Sequence, residues 1–449
     1  MRSSSDRAGA AKACGSPDFL RSHATLSCHA LRAAEESRMT KPATMHPPVH
    51  PVSAAAAVTT VRELAAFDAL RPAWDRLHAE DPDAGVFLGF GWLRRLFAEN
   101  PGDWCVKLLT DPHDPSRLLA ALPLRVQLRW SRSQKRFQTH FAAAGRLCFT
   151  EYTGFLCAPD REAEALDALG HHMAAQPWTS FALRYEPTGR RLRGFVRAME
   201  GQAAFDVTWP DHRINGGETD QLICPQIALP GDFDTYLEGQ SRNTRKKIRK
   251  TMRRYFDSGE VTPRVLEEVP YEEVRDALLS HWAARWREAN SPERLETVGA
   301  KYRRMLDRAR DLGLLYMPSL WHQGRVVGAL GFVIDPASGA YHCMVTGRDI
   351  EVQAIDLGLL MHAHAIEDVI GRGGTLYDFG HGTEPYKFHY ATSTLELGNL
   401  VIERRAGGVF DPAMTGAALA RCEQMLRRGQ TEDLARALRQ LRKAGAAVG

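Results

Sequence analysis

The chain has 449 residues, 44% of them apolar and 25% charged, with a net charge of +4. These figures suit a globular protein long enough for two domains, and so small a charge makes no general demand for nucleic acid. No apolar run approaches the roughly 18 residues of a spanning helix. The eight cysteines include no C-x-x-C pair, which points to a reducing cytoplasm and away from disulfides or structural zinc.

Residues 1–57 mix Ser, Ala, Arg and His without periodicity and run into a Pro-rich stretch from Pro42 to Pro51. They read as a segment outside any domain, with Met39 as the expected true start. From Val58 the pattern is regular. Leu64, Phe67, Leu70, Trp74 and Leu77 recur at helical spacing, and 87–97 predicts a second amphipathic helix. Strands follow at 104–109 and 118–128, separated by Asp-Pro-His-Asp-Pro, then a helix over 161–176, a strand over 178–185 and a helix over 190–199.

The same order returns in the second half. Helices are predicted over 274–286 and 302–309, strands over 314–321, 326–334 and 340–346, and a helix over 357–370. A strand over 375–379, a helix over 385–391 and a last strand over 395–402 complete it. The fold class expected is therefore α/β: one module at 58–226, a second at 227–405, each a mixed sheet flanked by helices, and a helical basic tail at 406–449.

The most informative stretch is Tyr377-Asp378-Phe379-Gly380-His381-Gly382-Thr383-Glu384-Pro385-Tyr386-Lys387, where an apolar strand enters a glycine-spaced polar loop. Gly380 and Gly382 permit positive φ and close backbone approach, and the loop offers acid, base and cation within ten residues. Upstream, Asp232 to Leu237 reads Asp-Phe-Asp-Thr-Tyr-Leu and precedes Ser241-Arg242-Asn243-Thr244-Arg245-Lys246-Lys247-Ile248-Arg249. Together these motifs resemble the BioF2-like and CelD-like acetyltransferases of the GNAT superfamily, relatives of the two-domain Fem peptidyltransferases. The resemblance covers about 227–402.

It implies two GNAT-like modules, with acetyl-CoA or another acyl-CoA as co-substrate, no metal, and an amine acceptor such as an amino sugar or other small molecule. In that superfamily the strand before the central helix splays from its neighbour, and amides at the helix start hold the pyrophosphate. The corresponding segment here contains Gly347, Gln353 and Gly358, with Asp356 where a glycine is usual and where its charge would oppose a phosphate. Tyr386 or Tyr390 lies where the superfamily places a tyrosine that protonates the leaving thiolate, although both could simply pack. The relationship also leaves open an aminoacyl-tRNA donor, as in Fem-type enzymes, or a non-catalytic role in polysaccharide assembly.

Several residues carry two readings each. Asp378 is a base or a structural partner of Arg372 or Lys387, and His381, between glycines, suits general base work. Glu384 either meets substrate or caps the following helix, and Lys387 is a cation for a phosphate or an acceptor carboxylate. Between Ser241 and Arg254 there are eight Lys or Arg and no acid. Arg245, Lys246 and Arg249 either hold the phosphates of the cofactor, an acidic acceptor, a membrane surface or tRNA, or form a solvated helix face. His362 and His364 are two apart on a helix and cannot share a metal. No P-loop and no Gly-x-Ser-x-Gly elbow is present.

Overall fold

The computed structural model describes residues 57–446 apart from 149, 151 and 188. The expectation for the N-terminal segment, including Met39, falls outside the described residues. The first half contributes strands β1 (Val58–Val61), β2 (Trp104–Thr110), β3 (Leu118–Ser131), β4 (Arg136–Ala143), β5 (Leu156–Cys157), β6 (Ser180–Glu186) and β7 (Phe205–Thr208). Its helices are α1 (Leu64–Asp68), α2 (Arg71–Glu80), α3 (Phe90–Ala98), α4 (Glu162–Ala175) and α5 (Gly189–Val196). A short pair, β8 (Arg213–Ile214) and β9 (Thr219–Asp220), leads to the second half.

There β10 (Ile223–Ala228), α6 (Phe233–Glu238), α7 (Arg242–Met252), β11 (Thr262–Arg264), α8 (Tyr271–Trp286) and α9 (Pro292–Asp311) precede β12 (Leu315–Tyr316), β13 (Ser319–His322), β14 (Arg325–Asp335) and β15 (Ala340–Arg348). Helix α10 (Leu357–Gly371), β16 (Leu376–Asp378), β17 (Ser393–Glu396) and β18 (Gly398–Arg404) follow, and α11 (Thr415–Arg427) and α12 (Thr431–Ala446) end the chain.

Two eight-stranded mixed sheets result. The first runs β1-β2-β3-β4-β6-β18-β7, with β5 beside β3, and the second runs β11-β13-β14-β15-β16-β10-β17, with β12 beside β14. One parallel pair in each, β4 with β6 and β15 with β16, breaks the otherwise antiparallel ladders. The second sheet buries one face under α6, α7 and α10 through Ile227, Tyr236, Ile248, Leu360, Ile366 and Tyr377. Its other face packs on α8 and α9 together with Val86, Phe87 and Trp92 from the first half.

Two details differ from the sequence reading. The stretch read as a single strand over 395–402 divides at Leu397: β17 pairs with β10 in the second sheet, whereas β18 lies between β6 and β7 in the first. Leu397 is buried with Tyr185 and Cys224 at this hand-over, and its amide donates to the Leu222 carbonyl. The helix expected at 385–391 is only a 3₁₀ turn at Lys387–His389, closed by i to i+3 bonds before the Thr392 amide is drawn to the Gln226 carbonyl. The tail is helical as expected, and Met414, Ala418, Cys422, Met425, Ala437 and Leu441 join the core of the first sheet.

Candidate functional site

The site grows from one irregularity in the second sheet. Strand β15 bulges against β14 at Met344, because Val345 pairs with Gly331 while Cys343 pairs with Phe332. On its other edge β15 meets β16 only through Ala340, Tyr341 and His342, opposite Leu376, Tyr377 and Asp378. Beyond them the chain leaves β15 and follows β10, with the Phe379 amide on the Pro225 carbonyl and the Gly382 amide on the Ile223 carbonyl. The parted strands open a V.

A cavity of about 800 Å³ fills the region between the free end of β15 and the start of α10. Thr346 and Arg348 of β15, Gly358, Leu359, Met361 and His362 of α10, and Asn243, Thr244, Lys247 and Ile248 of α7 line it, with Arg285 and Trp286 from the end of α8. Glu384, Tyr386 and Tyr390 close it from the loop. Asp356 caps α10 by accepting from the Leu359 amide at 3.2 Å, and its charge is met by Lys247 at 2.9 Å. The opposition to a phosphate anticipated from sequence is thus answered locally. Lys247, Arg285 and Arg348 face the cavity against the carboxylates of Asp356 and Glu384, and Glu384 is itself paired with Lys387 at 3.0 Å.

The other sequence candidates are dispersed around this cavity. Gly358 lines it, and a Cβ built there would meet no neighbouring group outside its own helix backbone within 4 Å, so the cavity reaches the chain of α10 at that residue. Gly347 serves packing: a Cβ there would lie 2.2 Å from the Leu278 carbonyl oxygen of α8. Gln353 is exposed and outside the lining. Helix α7 turns Lys247 to the cavity, whereas Arg245 donates to the Glu238 carbonyl, Lys246 is exposed, and Arg249 pairs with Asp234 at 2.7 Å. Tyr386 lines the cavity, 42% exposed, with its ring 5.7 Å from that of His362.

Lys387 is buried, and its Nζ donates to the His381 carbonyl at 2.7 Å and the Gly380 carbonyl at 3.4 Å, which braces the loop from inside. His381 packs its ring 5.4 Å from Tyr185, away from the cavity lining. His362 is buried with Nδ1 2.7 Å from the Tyr377 hydroxyl, and burial pushes its pKa down to about 3. It therefore stays neutral.

Asp378 is fully buried, and its partners are not Arg372 or Lys387. Its Oδ2 accepts from the Tyr152 hydroxyl at 2.6 Å and from His342 Nδ1 at 3.0 Å, and its Oδ1 accepts from the Gly380 amide at 2.8 Å. Burial alone would raise this carboxyl, but the His342 ring, the Tyr152 hydroxyl and the Gly380 amide together hold it below the usual aspartate value. His342 and Tyr152 were not singled out in the sequence. Nothing local marks a lone histidine in a strand, and Tyr152 comes from the other half of the chain.

Residues 242–388 match the family model described as an acetyltransferase (GNAT) domain, a span that runs from α7 through the loop after β16. Among solved structures the chain is similar to FemX, with 10% identity and a TM-score of 0.51 over 74% of this chain and 95% of that one. It is also similar to a conserved protein of unknown function from Bacteroides thetaiotaomicron VPI-5482, with 9% identity and a TM-score of 0.47 over 78% and 100% of the two chains. A tandem GNAT protein from the clavulanic acid biosynthesis pathway gives 13% identity and a TM-score of 0.42 over 77% and 97%. No curated protein matches the sequence. The fold is GNAT-like, and the matched domain supports an acyltransferase. No helix among the described residues is long and apolar enough to cross a membrane.

Proposed function

We propose that this chain transfers an acyl group, in the simplest case acetyl, from coenzyme A to an amine, in the manner of the BioF2-like and CelD-like enzymes that its motifs resemble. The observation that carries the reading is the V between β15 and β16, which opens onto a cavity that meets the first turn of α10 at Gly358. A helix start whose backbone a ligand can touch suits a pyrophosphate, and Lys247, Arg285 and Arg348 add charge of the right sign. The reaction breaks the thioester C–S bond and forms an amide C–N bond, while the acceptor nitrogen gives up a proton and sulfur gains one.

Within this reading the chain's own groups divide the work. The first turn of α10 and Lys247 hold the donor's anionic end, Ile248, Trp286, Leu359 and Met361 shield its chain from water, and Tyr386 is sited to return a proton to sulfur. The acceptor class is an amino sugar or other small amine. A second reading, transfer from an aminoacyl-tRNA, draws support from the outward face of α7, where Lys246 and Lys250 are exposed beside the cavity-facing Lys247.

Calorimetry with acetyl-CoA tests the proposal. Gly358→Leu has room for its side chain in the cavity and no backbone strain to overcome, so it should preserve the melting temperature while weakening acetyl-CoA at least tenfold. Equal affinity in the variant would remove the donor from this cavity. Failure of the intact chain to bind acetyl-CoA, with retention of aminoacyl-tRNA, would favour the second reading.

A further inference from the structure

We infer that His342 accepts the acceptor's proton, with Asp378 and Tyr152 as its positioning residues, so that the first half of the chain completes the site of the second. The inference rests on the acyl-transfer reading. His342 and Asp378 form the last register pair of β15 and β16, which places them at the vertex where the strands begin to part. Because Oδ2 of Asp378 can only accept, His342 Nδ1 carries the hydrogen, and the lone pair is left on Nε2. No described residue bonds that Nε2, and the side chain, which lies outside the cavity lining at the vertex of the V, keeps 12% of its surface exposed.

Two rings of the first half pack against that of His342. Phe87 lies 5.5 Å and Tyr152 5.4 Å from it, centroid to centroid. Tyr152 holds a left-handed backbone at φ 60, with its amide on the carbonyl of Tyr185, itself at φ 64. Both partners thus hold a conformation that disfavours bulky side chains. Their positions over-determine where the Tyr152 hydroxyl points, namely at Asp378.

The competing groups are less suited. Asp378 already receives three hydrogen bonds, two of them on Oδ2, and is wholly buried, so it has little left with which to take a proton from a substrate. His362 resists protonation in its buried setting, and His381 packs against Tyr185 and is not part of the β15–β16 register pair at the vertex. In the assigned step the lone pair of the neutral acceptor amine attacks the thioester carbonyl carbon, and the N–H bond breaks as its proton passes to Nε2. The C–S bond then breaks, with the sulfur protonated by Tyr386 or solvent.

The test uses the full chain with acetyl-CoA as donor and glucosamine as probe amine, read by thiol release and by calorimetry. His342→Gln should lower turnover at least 100-fold while leaving acetyl-CoA affinity within about twofold. Tyr152→Phe and Asp378→Asn should lower turnover with the same affinity, and free imidazole should partly restore His342→Ala but not Asp378→Asn. A His342→Gln variant that binds acetyl-CoA and keeps its rate overturns the assignment while leaving the donor site standing. If glucosamine is not an acceptor, diethyl pyrocarbonate decides: acetyl-CoA should protect His342 from modification, and unprotected reaction overturns the assignment. A chain that does not bind acetyl-CoA at all overturns the functional reading itself.

Discussion

His362 shows how much of this site depends on where a ring is buried. Its imidazole is held neutral, pushed from the ordinary 6.5 to about 3, while His140 and His172 in the first half are each lowered to about 4, again by burial. For all three the folded pKa lies below the unfolded one, so the unfolded chain takes up protons first on acidification. Stability is therefore full above about 6.5 and falls as the pH drops from there toward 4 and then 3. Thermal melts at pH 7, 6 and 5 should show a progressive loss, and His172→Gln should flatten the slope. A melting temperature independent of pH over that range would show these rings to be solvated. At this scale the sequence was informative about the loop and silent about its partners. Asp378 stood out from its neighbours, and Tyr377 and Phe379 beside it are core residues. His342 and Tyr152 meet Asp378 across 36 and 226 residues of chain, contacts that no local spacing encodes. Lys387 reads as a ligand cation on its own, yet it is buried against the carbonyls of its own loop.

Among the elements, β15 and α10 are the two that shape the cavity, and their glycines make opposite demands. Gly347 lies under α8, where a methyl group would sit 2.2 Å from a backbone carbonyl that cannot turn aside. Gly347→Ala should therefore cost about 1–3 kcal/mol by overpacking and should lower donor affinity as β15 shifts. Gly358→Ala has open space and helical backbone, and should be neutral or stabilising by up to about 1 kcal/mol. Denaturant melts of the two variants check this, and equal costs would contradict the packing described. Element types were largely readable from periodicity: the 357–370 helix and the 340–346 strand are present as α10 and β15. The break at Leu397 was not, because an apolar run carries no record of which sheet it joins. Gly398 marks the place, since a Cβ there would lie 2.3 Å from Leu192 Cδ1.

For the whole molecule, the repeated element order anticipated two mixed sheets, but not how the chain ties them together. Strand β18 returns to the first sheet, α11 and α12 pack on it, and Val86, Phe87 and Trp92 enter the core beside the second. Arg308 of α9 lies over the Trp92 ring at 5.1 Å and pairs with Glu99. The described residues form one compact unit, and unfolding should be a single calorimetric transition with matching near- and far-ultraviolet dichroism. Phe87→Ala should lower its stability by about 3–5 kcal/mol. Two separable transitions would mean that the halves are less interdependent than this packing indicates. The most direct measurement is a crystal structure with an unreactive ketone analogue of acetyl-CoA. The account predicts the pyrophosphate at the first turn of α10 beside Lys247, and the carbonyl in the V near the vertex formed by His342 and Asp378. An analogue bound elsewhere, or absent at saturating concentration, would contradict it.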